Sequence, residues 1–173
     1  MSYSDGVMID LETMSTRSNA SIASIGAVRF LNNEITSEFY VTVDLLSCKD
    51  VGLHIDPDTI AWWKKQSPEA LKELRTDNVS IHEALHRFRD WFGPKSMPVW
   101  GNGAGFDNVV VENAYFAIGE KRPWKYWDDR CYRTLASLFG FKKMPSASEG
   151  VKHNALHDAR WQAKQLLGFF NET

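Results

Sequence analysis

Cysteine is scarce: Cys48 and Cys131 stand far apart and in no zinc-ligand spacing. Neither a disulfide framework nor a zinc ribbon is indicated, and both thiols are expected free. No apolar run approaches the ~18 residues of a membrane span. The opening Met-Ser-Tyr-Ser-Asp-Gly lacks the basic and apolar regions of a signal peptide. The expected location is therefore cytoplasmic, with no membrane partner. A strong charge of either sign is also missing, since 20 Lys and Arg against 22 Asp and Glu leave a net −2. That balance argues against a general nucleic-acid coat. There is no internal repeat, low-complexity tract or linker. The 173 residues fit one domain, 1–173, able to bury roughly 70% of the surface of its unfolded form.

The first stretch that stands out is Val7-Met8-Ile9-Asp10-Leu11-Glu12-Thr13. It reads as a short apolar strand, yet carries two carboxylates where a buried strand should have Val or Ile. Residues i and i+2 of a strand share a face, so Asp10 and Glu12 project side by side, roughly 6.5 to 7 Å apart. Paired anions beside a core are costly unless a cation lies between them. Magnesium, with manganese as its substitute, is the hard cation that oxygen donors favour. An Asp-x-Glu at a strand end can also stand simply solvated.

Further along, Ile22–Leu31 and Glu38–Val43 read as two more strands, with Asn32-Asn33 as a turn, giving an antiparallel meander. Asp56-Pro57 opens a helix to Gln66, and Ser67-Pro68 another turn to Leu74. Ser80 and Glu83 form a capping box before an amphipathic helix ending at Gly93. Pro98–Asn102 reads as a parallel strand, Phe106–Ile118 as a helix, Trp124–Cys131 as a short strand, Leu135–Phe139 as a helix and Asn154–Phe170 as the closing helix. Strands first, then helices alternating with strands, predict an α/β fold: a mixed sheet with helices packed on it.

Two later stretches bear on the carboxylate pair. Gly101-Asn102-Gly103-Ala104-Gly105-Phe106-Asp107 puts small residues before an Asp near a helix N-terminus, without matching a P-loop or dinucleotide fingerprint. His153-Asn154-Ala155-Leu156-His157-Asp158 puts an Asp on the last helix and a His on the loop leading into it. Asp158 is suited to be a further metal ligand. His153, with an ordinary pKa of about 6.5, is suited to take a proton from water.

Asp10-x-Glu12, Asp107 and His153-x4-Asp158, in this order, resemble the DEDDh branch of the DnaQ-like 3′–5′ exonucleases. The tyrosine branch would need Tyr where Asn154 stands. Met8–Met14 and Ile22–Val28 look most like the subgroup with phage exodeoxyribonuclease A, the N-terminal part of prophage exonuclease VIII and a mycobacterial-type exoribonuclease. The resemblance spans the chain and implies a ribonuclease H-like fold. It also implies two magnesium or manganese ions held by Asp10, Glu12, Asp107 and Asp158, with Asp10 as the bridge. The implied reaction is hydrolysis of single-stranded DNA or RNA from a free 3′ end to nucleoside 5′-monophosphates, with His153 as general base.

For substrate, Thr13 and Met14 lie where similar enzymes hold the terminal nucleotide with backbone and an apolar wedge. Trp62-Trp63-Lys64-Lys65 sets indoles beside ammonium groups, suited to stacking a base and meeting a phosphate, although one indole can equally be core. Lys121 to Lys152 carries eight basic residues against three acids, either a solvated face or a grip on phosphate in which Lys142, Lys143 and Lys152 flank a serine-rich loop. A ribonuclease H-like endonuclease and an inert nucleic-acid-binding module remain as alternatives. A tryptophan-rich surface is expected, and it leaves a homodimer open.

Overall fold

The computed structural model describes residues 5–141 and 154–172. Five strands form one sheet: β1 (Gly6–Thr13), β2 (Ile22–Leu31), β3 (Glu34–Thr42), β4 (Val99–Gly101) and β5 (Asp129–Cys131), in the order β3-β2-β1-β4-β5. The first three are antiparallel, while β4 and β5 run parallel to β1. The helices are α1 (Leu45–Asp50), α2 (Pro57–Trp63), α3 (Pro68–Glu73), α4 (Ile81–Phe92), α5 (Asp107–Ala117), α6 (Tyr132–Phe139) and α7 (Ala155–Glu172). This is the expected mixed α/β sheet of the ribonuclease H-like kind.

The alternation of β1 sorts its side chains between two cores. Val7, Ile9 and Leu11 enter the larger core, with Ile81, Ala84, Leu85, Phe88 and Phe92 of α4 and Val110, Val111 and Ala114 of α5. Met8 points the other way, into a core shared with Ala159, Ala163 and Leu166 of α7. Period two then commits Asp10 and Glu12 to the α7 face. Helix α4 shows why such packing holds: its apolar positions recur at helical spacing, and each large side chain fully buried contributes about 1.5–3 kcal/mol. Ser80 Oγ accepts from the Glu83 N–H at 3.2 Å, while the Glu83 carboxylate takes Arg87 Nε at 2.7 Å. A third cluster of Met14, Ala23, Trp63, Ala70 and Leu74 packs α2 and α3 beside the end of β1.

Several boundaries differ from expectation for identifiable reasons. β3 begins at Glu34, because Asn32 and Asn33 both take positive φ (52° and 66°) and make a tight hairpin. Its first residues alternate towards solvent, which hides them from an apolar pattern. Trp124–Cys131 is a strand only from Asp129, since Tyr126–Asp128 forms a 3-10 turn. There Asp128 takes Ser96 Oγ at 2.6 Å and Trp124 Nε1 donates to Asp129 at 2.8 Å. Helix α2 stops at Trp63 rather than Gln66, and α6 starts at Tyr132. Helix α1 was not expected; Asp44 caps it by accepting from the Leu46 N–H at 3.1 Å. The surface is not tryptophan-rich: of seven tryptophans only Trp62 and Trp127 are exposed. Among the described residues no helix is long and apolar enough to cross a membrane.

Candidate active site

Asp10 and Glu12 leave β1 towards the first turn of α7, which approaches because Gly26 of β2 sits directly opposite Asp10. A Cβ on Gly26 would lie 2.2 Å from the backbone of Ala155 and Leu156, so only glycine lets the helix seat there. Asp158, in the first turn of α7, is thereby brought in. Carboxylate oxygens of Asp10, Glu12 and Asp158 lie within 4.8 Å of one another. At that spacing the three carboxylates are close enough together to offer one metal ion a ligand atom each.

Asp107 opens α5 and is 4% exposed. It is packed on Gly101 at the end of β4, where an added Cβ would stand 3.0 Å from Asp107 Cβ and 2.4 Å from Asn108 Oδ1. Gly101 pairs with Ile9, and Asp107 is near enough for its charge to act on both Asp10 and Glu12. Three of the four acids expected from sequence therefore meet in one cluster, and Asp107 stands beside it, near enough to act on it by charge.

Their electrostatics is that of crowded, desolvated anions. Burial, then the charges of Asp107, Glu12 and Asp158, raise Asp10 well above the usual carboxylate range, against the Gln162 amide. Gln162 Nε2 donates to Asp10 Oδ1 at 2.9 Å. Burial, followed by Asp158, Asp107 and Glu73, pushes Glu12 up to about 8. Asp107 rises to about 7 through burial, opposed by backbone N–H groups including Leu11 and Asn102 and by Arg133. Burial takes Asp158 to about 6, partly offset by His157. A site of hard oxygen donors with surplus negative charge fits divalent cations such as magnesium or manganese.

Beside Glu12 opens a cleft of about 510 Å³ whose walls include Thr13, Thr59, Trp62, Trp63 and Phe106. Trp62 is 45% exposed and meets Trp63 edge-on at 5.1 Å. Trp63 is buried and donates from Nε1 to the Thr13 carbonyl at 3.0 Å, so one indole is structural and the other presents its surface. Met14 is 5% exposed, inside the cluster behind Trp63. The irregularity between Glu12 and Thr13 breaks the strand alternation just before it. Lys64 and Lys65 are exposed. His153 and Lys152, like Lys142 and Lys143, lie outside the described residues. In the basic stretch, Arg122 is bound between Glu112 at 3.3 Å and Asp129 at 2.9 Å. Arg133 donates to the Asn102 carbonyl at 2.6 Å.

Sequence reasoning passed over Gln162, Gly26, Asn154, Glu73 and Phe106. A signal existed for Gln162: it stands four residues after Asp158, on the same face of one helix.

With this geometry in place, a profile of the Rv2179c-like 3′-5′ exoribonuclease domain matches residues 5–168. The chain belongs to this family. It is thus a DnaQ-like 3′–5′ exonuclease, a hydrolase of nucleic acid. It is 26% identical to an exodeoxyribonuclease of Enterobacteria phage T4, over 92% of this chain and 85% of the relative. Among solved structures it resembles exonuclease X in complex with 5′-overhanging duplex DNA, with TM-score 0.63 and 18% identity, covering 97% of this chain and 92% of the other. It also resembles the zinc-bound form of the E. coli exonuclease I complex with single-stranded DNA, with TM-score 0.58 and 16% identity, covering 96% of this chain and 39% of that one. These two likenesses concern the fold.

Proposed function

We propose that this exonuclease domain releases nucleoside 5′-monophosphates one at a time from the free 3′ end of single-stranded DNA or RNA, using two divalent cations, magnesium or manganese. Asp10, Glu12, Asp107 and Asp158 would hold the ions. The observation that carries the reading is the meeting of Asp10, Glu12 and Asp158 oxygens within 4.8 Å, with buried Asp107 bearing on them electrically. Such a cluster is unfavourable by itself and favours a compensating positive charge. Bound there, the cations supply neutralisation of the phosphodiester charge and lower the pKa of water for attack on phosphorus.

The protein's own groups do the rest. Gln162 fixes one oxygen of Asp10 and so orients the carboxylate. His153, one residue before the cap of α7, is the general base: its neutral imidazole accepts the proton that the attacking water gives up. The cleft beside Glu12 takes the terminal nucleotide, its base against the exposed Trp62 and the Phe106 wall, and Thr13 contributes backbone. Met14 acts from behind by backing Trp63. Lys152, with Lys64 and Lys65, meets phosphate. The described groups of the site meet within one protomer, which calls for no second copy.

Mass-spectrometric product analysis on matched 3′-tailed DNA and RNA, with magnesium or manganese, tests the reading. It predicts 5′-mononucleotides from linear substrate and none from circular substrate. Cleavage of the circle would indicate an endonuclease. An Asp10→Ala variant with full activity would remove the site assignment.

A further inference from the structure

We infer that Glu73, on a helix that carries none of the four acids, is a positioning residue for the α7 first turn through a hydrogen bond to its cap, Asn154. Asn154 is 3% exposed and immediately precedes α7. Its Oδ1 accepts from the His157 N–H at 2.9 Å, and its carbonyl accepts from the Asp158 N–H at 3.1 Å. This is an N-cap on the very turn that bears Asp158. The other end of the amide, Nδ2, donates to Glu73 Oε1. A carboxylate only accepts, so Glu73 fixes which way the amide faces and keeps the oxygen towards the helix.

The location of Glu73 makes the contact informative. It ends α3, whose Ala70 packs in one cluster with Met14 and Trp63, and Trp63 is a wall of the cleft beside Glu12. A fifth carboxylate here bears on Glu12 and adds to an already anionic site, which the Asn154 amide donor offsets. Glu73 thus joins the nucleotide-cleft wall to the helix that delivers Asp158, across 81 residues of sequence. The consequence for cation binding rests on the function proposed above; the contact itself does not.

The test compares Glu73→Ala, Glu73→Gln, Asn154→Ala and the Glu73→Ala/Asn154→Ala double variant in the full chain. Hydrogen exchange on metal-free protein reads the His157 and Asp158 amides, with those of Leu166 and Leu167 as internal references. Each alanine variant should speed exchange of the first pair about tenfold, the scale of a lost cap, and leave the references unchanged. The double variant should add nothing further, because both changes break one interaction. Glu73→Gln keeps an acceptor and should restore protection. Manganese titration should show weaker binding in Glu73→Ala and recovery in Glu73→Gln, with Asp10→Asn reporting whether the cluster binds the ion at all. Unchanged exchange in Glu73→Ala, a uniform rise along α7, or a Glu73→Gln variant as loose as Glu73→Ala each overturns the inference. Expected exchange behaviour with undiminished manganese binding by Asp10→Asn would instead overturn the cation reading and leave the helix contact standing.

Discussion

Replacing Glu12 by Gln should stabilise the metal-free protein, and by more as pH rises. Burial and the neighbouring Asp158, Asp107 and Glu73 move Glu12 from 4.5 to about 8 in the folded state. Its folded pKa lies above its unfolded one, so the folded state holds the proton more tightly. Stability is then highest below pH 4.5 and falls as pH climbs through 8. With about 1.36 kcal/mol per pH unit, the wild-type penalty grows from just under about 1 kcal/mol at pH 5 to about 4 kcal/mol at pH 8, an upper figure because water entering the cleft relaxes it. Glu12→Gln keeps the size and removes the charge. Urea unfolding with a chelator present should therefore show the two proteins nearly equal at pH 5 and the variant several kcal/mol more stable at pH 8. Saturating manganese should reverse the order, because only the wild type recovers its charge balance. Parallel pH profiles in chelator would refute the desolvated acid cluster.

Gly26→Ala should lower the rate about a hundredfold at saturating manganese, since the added Cβ displaces the α7 first turn and a shift of about 1 Å suffices for such a loss; circular dichroism checks that the fold persists, and an unimpaired variant would contradict the seating of α7. At saturating manganese, activity should fall on the acid side as His153 becomes protonated, and His153→Ala should lower the rate and flatten that acid limb; an unchanged profile would remove His153 as the base. Trp62→Ala should raise KM roughly 5- to 100-fold, the worth of one base stack, with less effect on kcat; oligonucleotide kinetics with an unchanged KM would contradict its role as a platform.

The acids were legible because strand periodicity alone puts Asp10 and Glu12 on one face, and charge in an otherwise apolar strand is conspicuous. Asp107 and Asp158 showed through their places at helix starts. What sequence could not expose depends on packing across the chain. Gly26 reads as an ordinary small residue in a strand until α7 is found against it. Gln162 bonds a residue 152 positions away, and Asn154 gains its meaning from both α7 and Glu73. Composition also misled: of the tryptophans expected at the surface, Trp63, Trp100 and Trp124 are buried, and Arg122, counted within a basic stretch, is committed to Glu112 and Asp129. Helix α1, at six residues, is too short for periodicity to register.

Manganese titration calorimetry on the wild type against Asp10→Asn and Asp158→Asn tests most directly whether one cup of carboxylates gathers divalent cations. The account predicts two ions per chain in the wild type and loss of both in Asp10→Asn, with binding weakened in Asp158→Asn. Equal binding by all three proteins would contradict it.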